Sequence, residues 1–465
     1  MDFVGGIVTD DDNRVLMVRR AEGVGHMAGL WSLPGGARRD GESDQQAVVR
    51  KLGGETGLEV EVEAPVLKTN RRRWRGTAYR VRPVGGQVRQ GLDAGIADCR
   101  FFAIDEMPER TVLEAGLAIM NHRLETSMTV TAHEYSSIVD MLFSGLFFSY
   151  LEPALGKLEL EDLATLSWSI TNTPLRKFKS AIPFLMSDRS DRAKEYALMA
   201  EIVFAVCTIM DDLCDERTER YGFPTAHRHF GRPQTVAFVF GAIESLRRDL
   251  SMKYGDAYAE SIAGALLGCA RSQARRFADQ DLEIADYFDN CVKRNDFLGV
   301  AWSAGLRALG QRDTAEFIYG LHQAAIPASQ MINDYYDMVR NEFRDFRAGV
   351  RSYCVRKLAA ELADPRELEN LLARRADPAA ERRFHELLER YDIIPKVRAD
   401  IHSALGEIAG MIEDAPLSTA QKTILACWND IPLANILDDA DAPRDFHART
   451  ERFVDSIDAL CGELS

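Results

Sequence analysis

The sequence has no CxxC pair. Its eight cysteines (Cys99, Cys207, Cys214, Cys269, Cys291, Cys354, Cys427, Cys461) follow the spacing of neither a zinc site nor a disulfide framework. Long hydrophobic runs are missing too: the longest apolar stretch, Tyr196 to Met210, contains Glu201 and runs directly into four acids. It falls short of the roughly 20 residues that a spanning helix needs, so a buried helix is expected there and no integral membrane segment. Positive charge is in deficit, with 57 Lys and Arg against 72 Asp and Glu and a formal charge of −15. Duplex nucleic acid is held chiefly by cations that neutralise phosphates, so no nucleic-acid partner is expected. The first residues, MDFVGGIVTDDD, show neither a basic segment nor an apolar signal core, and a reduced, cytoplasmic setting is the expectation. No internal repeat or low-complexity tract is apparent.

At 465 residues the chain is about three times a typical domain, and its 46% apolar and 28% charged residues are a globular balance. Two textures divide it. Up to about residue 105, β-rich runs (FVGGIVT, RVLMVRR, LEVEVEAPVLKT, TAYRVRPV, CRFFAI) alternate with Gly, Asp and Pro, around one helical stretch near residues 43 to 56. From about Pro108 apolar residues recur at helical spacing, as in SIVDMLFSGLFFSYL and ESIAGALLGCARSQARRFA. The expected organisation is an α+β domain over 1–110, a linker over 111–128 and an all-α domain over 129–465.

Residues 31–58 read WSLPGGARRDGESDQQAVVRKLGGETGL. This resembles the Nudix hydrolase box, Gly-x5-Glu-x7-Arg-Glu-φ-x-Glu-Glu-x-Gly-φ with φ apolar: Gly36, Glu42, Arg50, Leu52, Glu55, Gly57 and Leu58 fit without a gap. The resemblance implies a Nudix-like fold in which the box helix gathers carboxylates around Mg²⁺. Here Lys51 and Gly54 replace two of the helix acids, and Arg39 stands where the loop commonly has another. A Lys-for-Glu change shifts local charge by two units, so the box is expected to be degenerate and the domain a retained scaffold rather than a hydrolase. Metal-free phosphate binding through Arg38, Arg39, Lys51 and the run Arg71, Arg72, Arg73, Arg75 is the alternative, with a solvated strand edge as the preferred reading of that run.

In the helical part, Asp211-Asp212-Leu-Cys-Asp215-Glu216 ends the apolar helix that begins near Asp191. Positions i and i+4 share a helix face, so Asp211 and Asp215 converge with Asp212 beside them. A second cluster, Asn333-Asp334-Tyr-Tyr-Asp337, follows the run FIYGLHQAAIPASQMI. Unpaired acids beside apolar helices repel one another unless cations lie between them, and Mg²⁺ is the natural candidate.

These two clusters and their surroundings, roughly residues 125–355, resemble the trans-isoprenyl diphosphate synthases and their class I terpene synthase relatives. DDLCDERTERYGFPTAH (Asp211–His227) looks like the first motif, DDxxD-x4-Arg-Arg-Gly-x-Pro-x-x-His, and SQMINDYYD (Ser329–Asp337) like the second, Phe-Gln-x-x-Asp-Asp-x-x-Asp. The resemblance implies an all-α isoprenoid synthase fold and homodimerisation. It also implies Mg²⁺ held by Asp211, Asp212 and Asp215 and by Asn333, Asp334 and Asp337, with an allylic isoprenyl diphosphate as substrate. Arg220 then binds the diphosphate, Arg347 stands where a family Lys does the same, and Gln330 precedes the second motif near the cation.

The departures concern the second substrate of chain elongation, isopentenyl diphosphate. The residues that hold it in the family become Arg176 and Lys179, exchanged in type, and Phe204 and Tyr221, now aromatic. Losing two charged hydrogen bonds at roughly 1.5–3 kcal/mol each erodes that pocket. Aromatic faces stabilise cations, which a cyclase wall requires. The family's Lys-Thr pair aligns with Asn295-Asp296, next to Lys293 and Arg294. Asp337 and Asn341 stand where the terpene synthase form of the second motif has a hydroxyl residue and Glu. The expected activity is a Mg²⁺-dependent class I isoprenoid enzyme that ionises the allylic diphosphate, with cyclisation or elimination ranked first. Transfer to an acceptor other than isopentenyl diphosphate comes second and ordinary elongation third. A noncatalytic synthase-like subunit and a Nudix diphosphohydrolase are the readings from other classes.

Overall fold

The computed structural model describes residues 2–23, 27–71, 75–127, 129–157, 177–220, 223–276, 283–339, 343–436 and 446–462. They fall into two compact units, one of the described residues within 2–157, 177–198 and 417–462, the other of those within 199–416. Helices beyond residue 128 thus belong to both units.

The β-rich runs of the first unit become strands. β1 (Asp2–Ile7), β4 (Gly35–Ala37), β5 (Leu58–Asn70) and β6 (Arg75–Gly86) form a sheet in the order β4-β1-β6-β5, with β1 and β6 parallel and the other pairs antiparallel. β3 (Trp31–Ser32), β2 (Val15–Arg20) and β7 (Ile96–Phe102) form an antiparallel second sheet. Helix Asp44–Thr56 starts at a capping box, Ser43 with Gln46, and ends at Gly57 in the left-handed conformation (φ 78°) that glycine adopts without strain. It buries Ala47, Val48 and Leu52 against Val4, Leu16, Val18, Val60 and Val81, which closes the α+β core.

Residues 111–128, expected to be a linker, hold helix Leu113–Thr126, whose Leu113, Leu117, Ala118, Ile119 and Met120 are buried. Just before it the chain pairs with β3: Trp31 N–H donates to Arg110 O and Val112 N–H to Trp31 O, both at 2.8 Å. Arg71, read as part of a solvated edge, is instead buried, 3.4 Å from Glu114 and 3.0 Å from Asp458. Tyr150 donates its hydroxyl to the same Glu114. Arg72 and Arg73 lie outside the described residues, whereas Arg75 is an exposed partner of Asp2 at 3.2 Å. One buried guanidinium therefore ties the end of β5 to helix Leu113–Thr126 and to the C-terminal helix Phe446–Cys461. The two partners lie 43 and 387 residues from Arg71 in sequence.

Among its described residues the second unit is helical apart from the two-residue strands Glu219–Arg220 and Phe223–Pro224. Helix Asp191–Cys214 enters it at Met199, followed by Arg232–Tyr254, Asp256–Arg276, Ile284–Asn295, Phe297–Ala308, Arg312–Val339, Tyr353–Glu361 and Ile393–Glu413, among shorter helices. The Tyr196–Met210 stretch is a buried helix, as its composition requires. None of the described helices is long and apolar enough to cross a membrane.

Candidate functional site

The last turn of helix Asp191–Cys214 and the short hairpin after it build the first acidic cluster. The turn back through Glu219–Arg220 brings the Arg220 guanidinium onto the helix end. Its Nη2 lies 2.8 Å from Asp211 Oδ2 and 2.7 Å from Asp212 Oδ1, and its Nε donates to Asp212 at 2.9 Å. The other Asp211 oxygen accepts from Gln273 at 2.7 Å, and Arg217 lies 3.8 Å from Asp215. Asp212 is buried, which raises its carboxyl above the usual range despite the opposing pull of Arg220 and Arg217. Oxygens of two carboxylates thus converge on the Arg220 guanidinium, which supplies the positive charge between them. Among the described residues, no three His, Cys, Asp or Glu side chains are grouped to hold a metal.

The second cluster sits near the end of helix Arg312–Val339, where its three acidic-motif positions differ sharply. Asn333 is exposed and Asp337 half-buried, 3.5 Å from Arg344, while Asp334 is 5% exposed. Asp334 Oδ2 accepts from the Tyr287 hydroxyl and the Tyr353 N–H, each at 2.6 Å, and Oδ1 accepts from Gln330 at 2.8 Å. Gln330 in turn accepts from Arg294 at 2.7 Å, and the Arg356 guanidinium lies 4.9 Å from the Tyr287 ring centre. Burial pushes the Asp334 carboxyl upward even with these donors in place. Asp334 thereby joins three helices, while Asn333 and Asp337 keep more open positions.

The helices that carry Gln273 and Tyr287 lie between the clusters. Gln273, on Asp256–Arg276, bonds Asp211, and its neighbour Ser272 donates to Asn290 at 2.7 Å. Asn290 and Tyr287 share helix Ile284–Asn295, and Tyr287 bonds Asp334. A chain of side chains on adjacent helices therefore runs from one acidic motif to the other. Gln273, Tyr287 and Tyr353 carried no motif signal, because each gains its role only when these helices pack.

Other expected site residues are scattered. Arg176 and Tyr221 lie outside the described residues, as does Asn341. Lys179, in the first unit, is buried with its ammonium 5.5 Å from the Phe178 ring. Phe204 is half-buried, its ring 6.2 Å from that of Phe297. Arg347 is paired with Glu381 through two hydrogen bonds of 2.9 and 2.8 Å. Asn295 caps back onto Cys291, and Asp296 accepts from Tyr319 at 3.2 Å and from Gln323.

In the NUDIX-type box the charges are paired within the chain. Glu42 takes Arg50 through contacts of 2.7 and 2.8 Å, which holds its carboxyl down to about 2. Glu55 accepts from Gly35 N–H at 2.8 Å and lies 3.3 Å from Lys51 Nζ, while burial pushes its carboxyl upward. Arg38, a candidate phosphate ligand, is engaged by Asp2 at 2.6 Å and Asp44 at 3.2 Å.

Comparison with known proteins separates the same two parts. The family model of the NUDIX domain matches residues 2–122. A MutT-like protein of Streptomyces ambofaciens is 33% identical over 109 residues, 23% of this chain and 66% of that protein. An ADP-ribose pyrophosphatase of Methanocaldococcus jannaschii is 32% identical over 112 residues, 23% of this chain and 63% of its own length. The chain thus spans just under two thirds of these curated relatives. Among solved structures, heptaprenyl diphosphate synthase from Staphylococcus aureus is 16% identical with a TM-score of 0.53, covering 61% of this chain and 96% of that one. Geranylgeranyl pyrophosphate synthetase from Pyrococcus horikoshii is 17% identical with a TM-score of 0.53, covering 64% of this chain and 98% of that one. The chain therefore joins an N-terminal NUDIX domain to a helical part with the fold of the trans-prenyl diphosphate synthases.

Proposed function

We propose that this protein is a Mg²⁺-dependent class I isoprenoid enzyme that ionises an allylic isoprenyl diphosphate and releases diphosphate. On this reading it is a terpene synthase, cyclising or eliminating within one molecule on a prenyl synthase scaffold. The observation that carries the reading is the Asp211–Asp212–Arg220 constellation, at the end of an apolar helix in a fold shared with prenyl diphosphate synthases. Asp211, Asp212 and Asp215 would hold Mg²⁺ on one side, and Asn333 and Asp337 on the other, with Asp334 fixing the second motif from behind. Bound there, Mg²⁺ supplies positive charge for the departing diphosphate. Arg220, already oriented by two carboxylates, grips the same leaving group. Apolar helices exclude water from the allylic cation, and Phe204 offers it an aromatic face.

Pairing of two copies fits helix Arg232–Tyr254, where Val236 and Phe240, one turn apart, are 37% and 72% exposed. The activity is tested by incubating pure protein and Mg²⁺ with geranyl, farnesyl or geranylgeranyl diphosphate, with and without isopentenyl diphosphate. Hydrocarbon or alcohol products without isopentenyl diphosphate are expected. Longer diphosphates formed only in its presence would overturn the ranking in favour of elongation.

A further inference from the structure

The NUDIX domain contains a carboxylate pocket that the isoprenoid chemistry does not use. Glu55 is 2% exposed, and both its oxygens face donors of the chain: Gly35 N–H at 2.8 Å and Lys51 Nζ at 3.3 Å. Lys51 precedes Glu55 by four positions on helix Asp44–Thr56, so the two side chains share a face. The lysine stem also lies over the box loop. A Cβ on Gly36 would meet Lys51 Cε at 2.6 Å and Nζ at 2.9 Å, so the glycine leaves the room that the lysine fills. Of the other box positions, Glu42 is held by Arg50, and Gly54 has no side-chain oxygen to offer. A divalent ion needs several converging oxygens, whereas here one buried carboxylate faces an ammonium that would repel the ion. The metal implied by the domain's family does not fit these residues.

We propose that the Lys51 ammonium is the resident cation of this box: it compensates Glu55 from within the chain, so the NUDIX domain keeps the fold of the box without a divalent metal. Two side chains of one helix form the pair, and Arg20 adds further positive charge beside Glu55. The inference stands on Glu55, Lys51 and Gly36 alone and is independent of the isoprenoid reading.

Iron(II) with ascorbate tests it on the full chain, because Fe²⁺ occupies oxygen-rich Mg²⁺ sites and the radicals it generates cut nearby backbone. Fragments are located by mass spectrometry, and cuts around residues 211–220 report the helical site separately, so failure of one reading is told apart from failure of the other. The wild-type protein should show no cuts within residues 33–57. Lys51→Glu should gain cuts there that excess Mg²⁺ suppresses. Mg²⁺-sensitive cuts at 33–57 in the wild type would overturn the proposal, as would a folded Lys51→Glu without them. Lys51→Met removes the ammonium without adding an oxygen. It should lower the melting temperature in a way that Mg²⁺ does not restore, and an unchanged melting temperature would equally count against the assignment.

Discussion

In the NUDIX box each of the two glutamates has a cation of its own, Glu42 with Arg50 and Glu55 with Lys51. At the end of helix Asp191–Cys214 three aspartates share two arginines, Asp211, Asp212 and Asp215 with Arg217 and Arg220. In the first, every one of these acids is matched by a base. The second carries surplus negative charge, and on the proposed reading a diphosphate would add about three more, so that its binding would require further cations. The same residue types thus stand in pairs in one region and in acid excess in the other, and on the proposed reading that excess is what makes the second site depend on added cations.

Several changes would break or sharpen this contrast. The largest effect is expected at the open site: Asp212→Ala should lower diphosphate release by at least about 100-fold in steady-state assays, while Lys51→Met leaves that rate unchanged. Loss of the rate in Lys51→Met would erase the distinction between the regions. Arg71→Met should cost about 3–5 kcal/mol in chemical denaturation, because it strands Glu114 and Asp458 around a buried position. Tyr287→Phe should cost about 1–3 kcal/mol by removing one donor from buried Asp334, seen as faster hydrogen exchange in helices Ile284–Asn295 and Arg312–Val339.

The smallest effect separates the regions by pH. Arg50 holds Glu42 at about 2, below its ordinary 4.5, so the tie stabilises the box fully above pH 4.5 and is lost as pH falls toward 2. Protection of the amides of residues 38–50, corrected for the pH dependence of intrinsic exchange, should fall across that window, and Glu42→Gln should remove the part of that fall due to Glu42.

The NUDIX domain was legible because its signals are local. Alternating apolar residues, glycine turns and a Ser43–Gln46 cap place strands and helix with little help from distant contacts, and the Lys51–Glu55 pair is visible as an i,i+4 spacing. The acidic motifs were equally legible as short patterns. What escaped is long-range. Arg71 reads as one of a run of surface arginines until Asp458, 387 residues away, reaches it. Residues 113–126 look like a connection because their helix is buried on several sides at once, so its apolar pattern has no clear stripe. Gln273 joins Asp211 across 62 residues, and Asp334, one of several acids in its motif, differs from Asn333 and Asp337 only through three donors from packed helices.

On the proposed reading, the acid surplus around Asp211 and Asp212, with its cations, drives departure of an allylic diphosphate. The most direct measurement is inorganic diphosphate release, with Mg²⁺, from farnesyl diphosphate and from its 2,3-dihydro analogue, which cannot form an allylic cation. Release from farnesyl diphosphate alone, abolished by EDTA and by Asp212→Asn, is the predicted result. Equal release from both compounds, or release that survives Asp212→Asn, would contradict it.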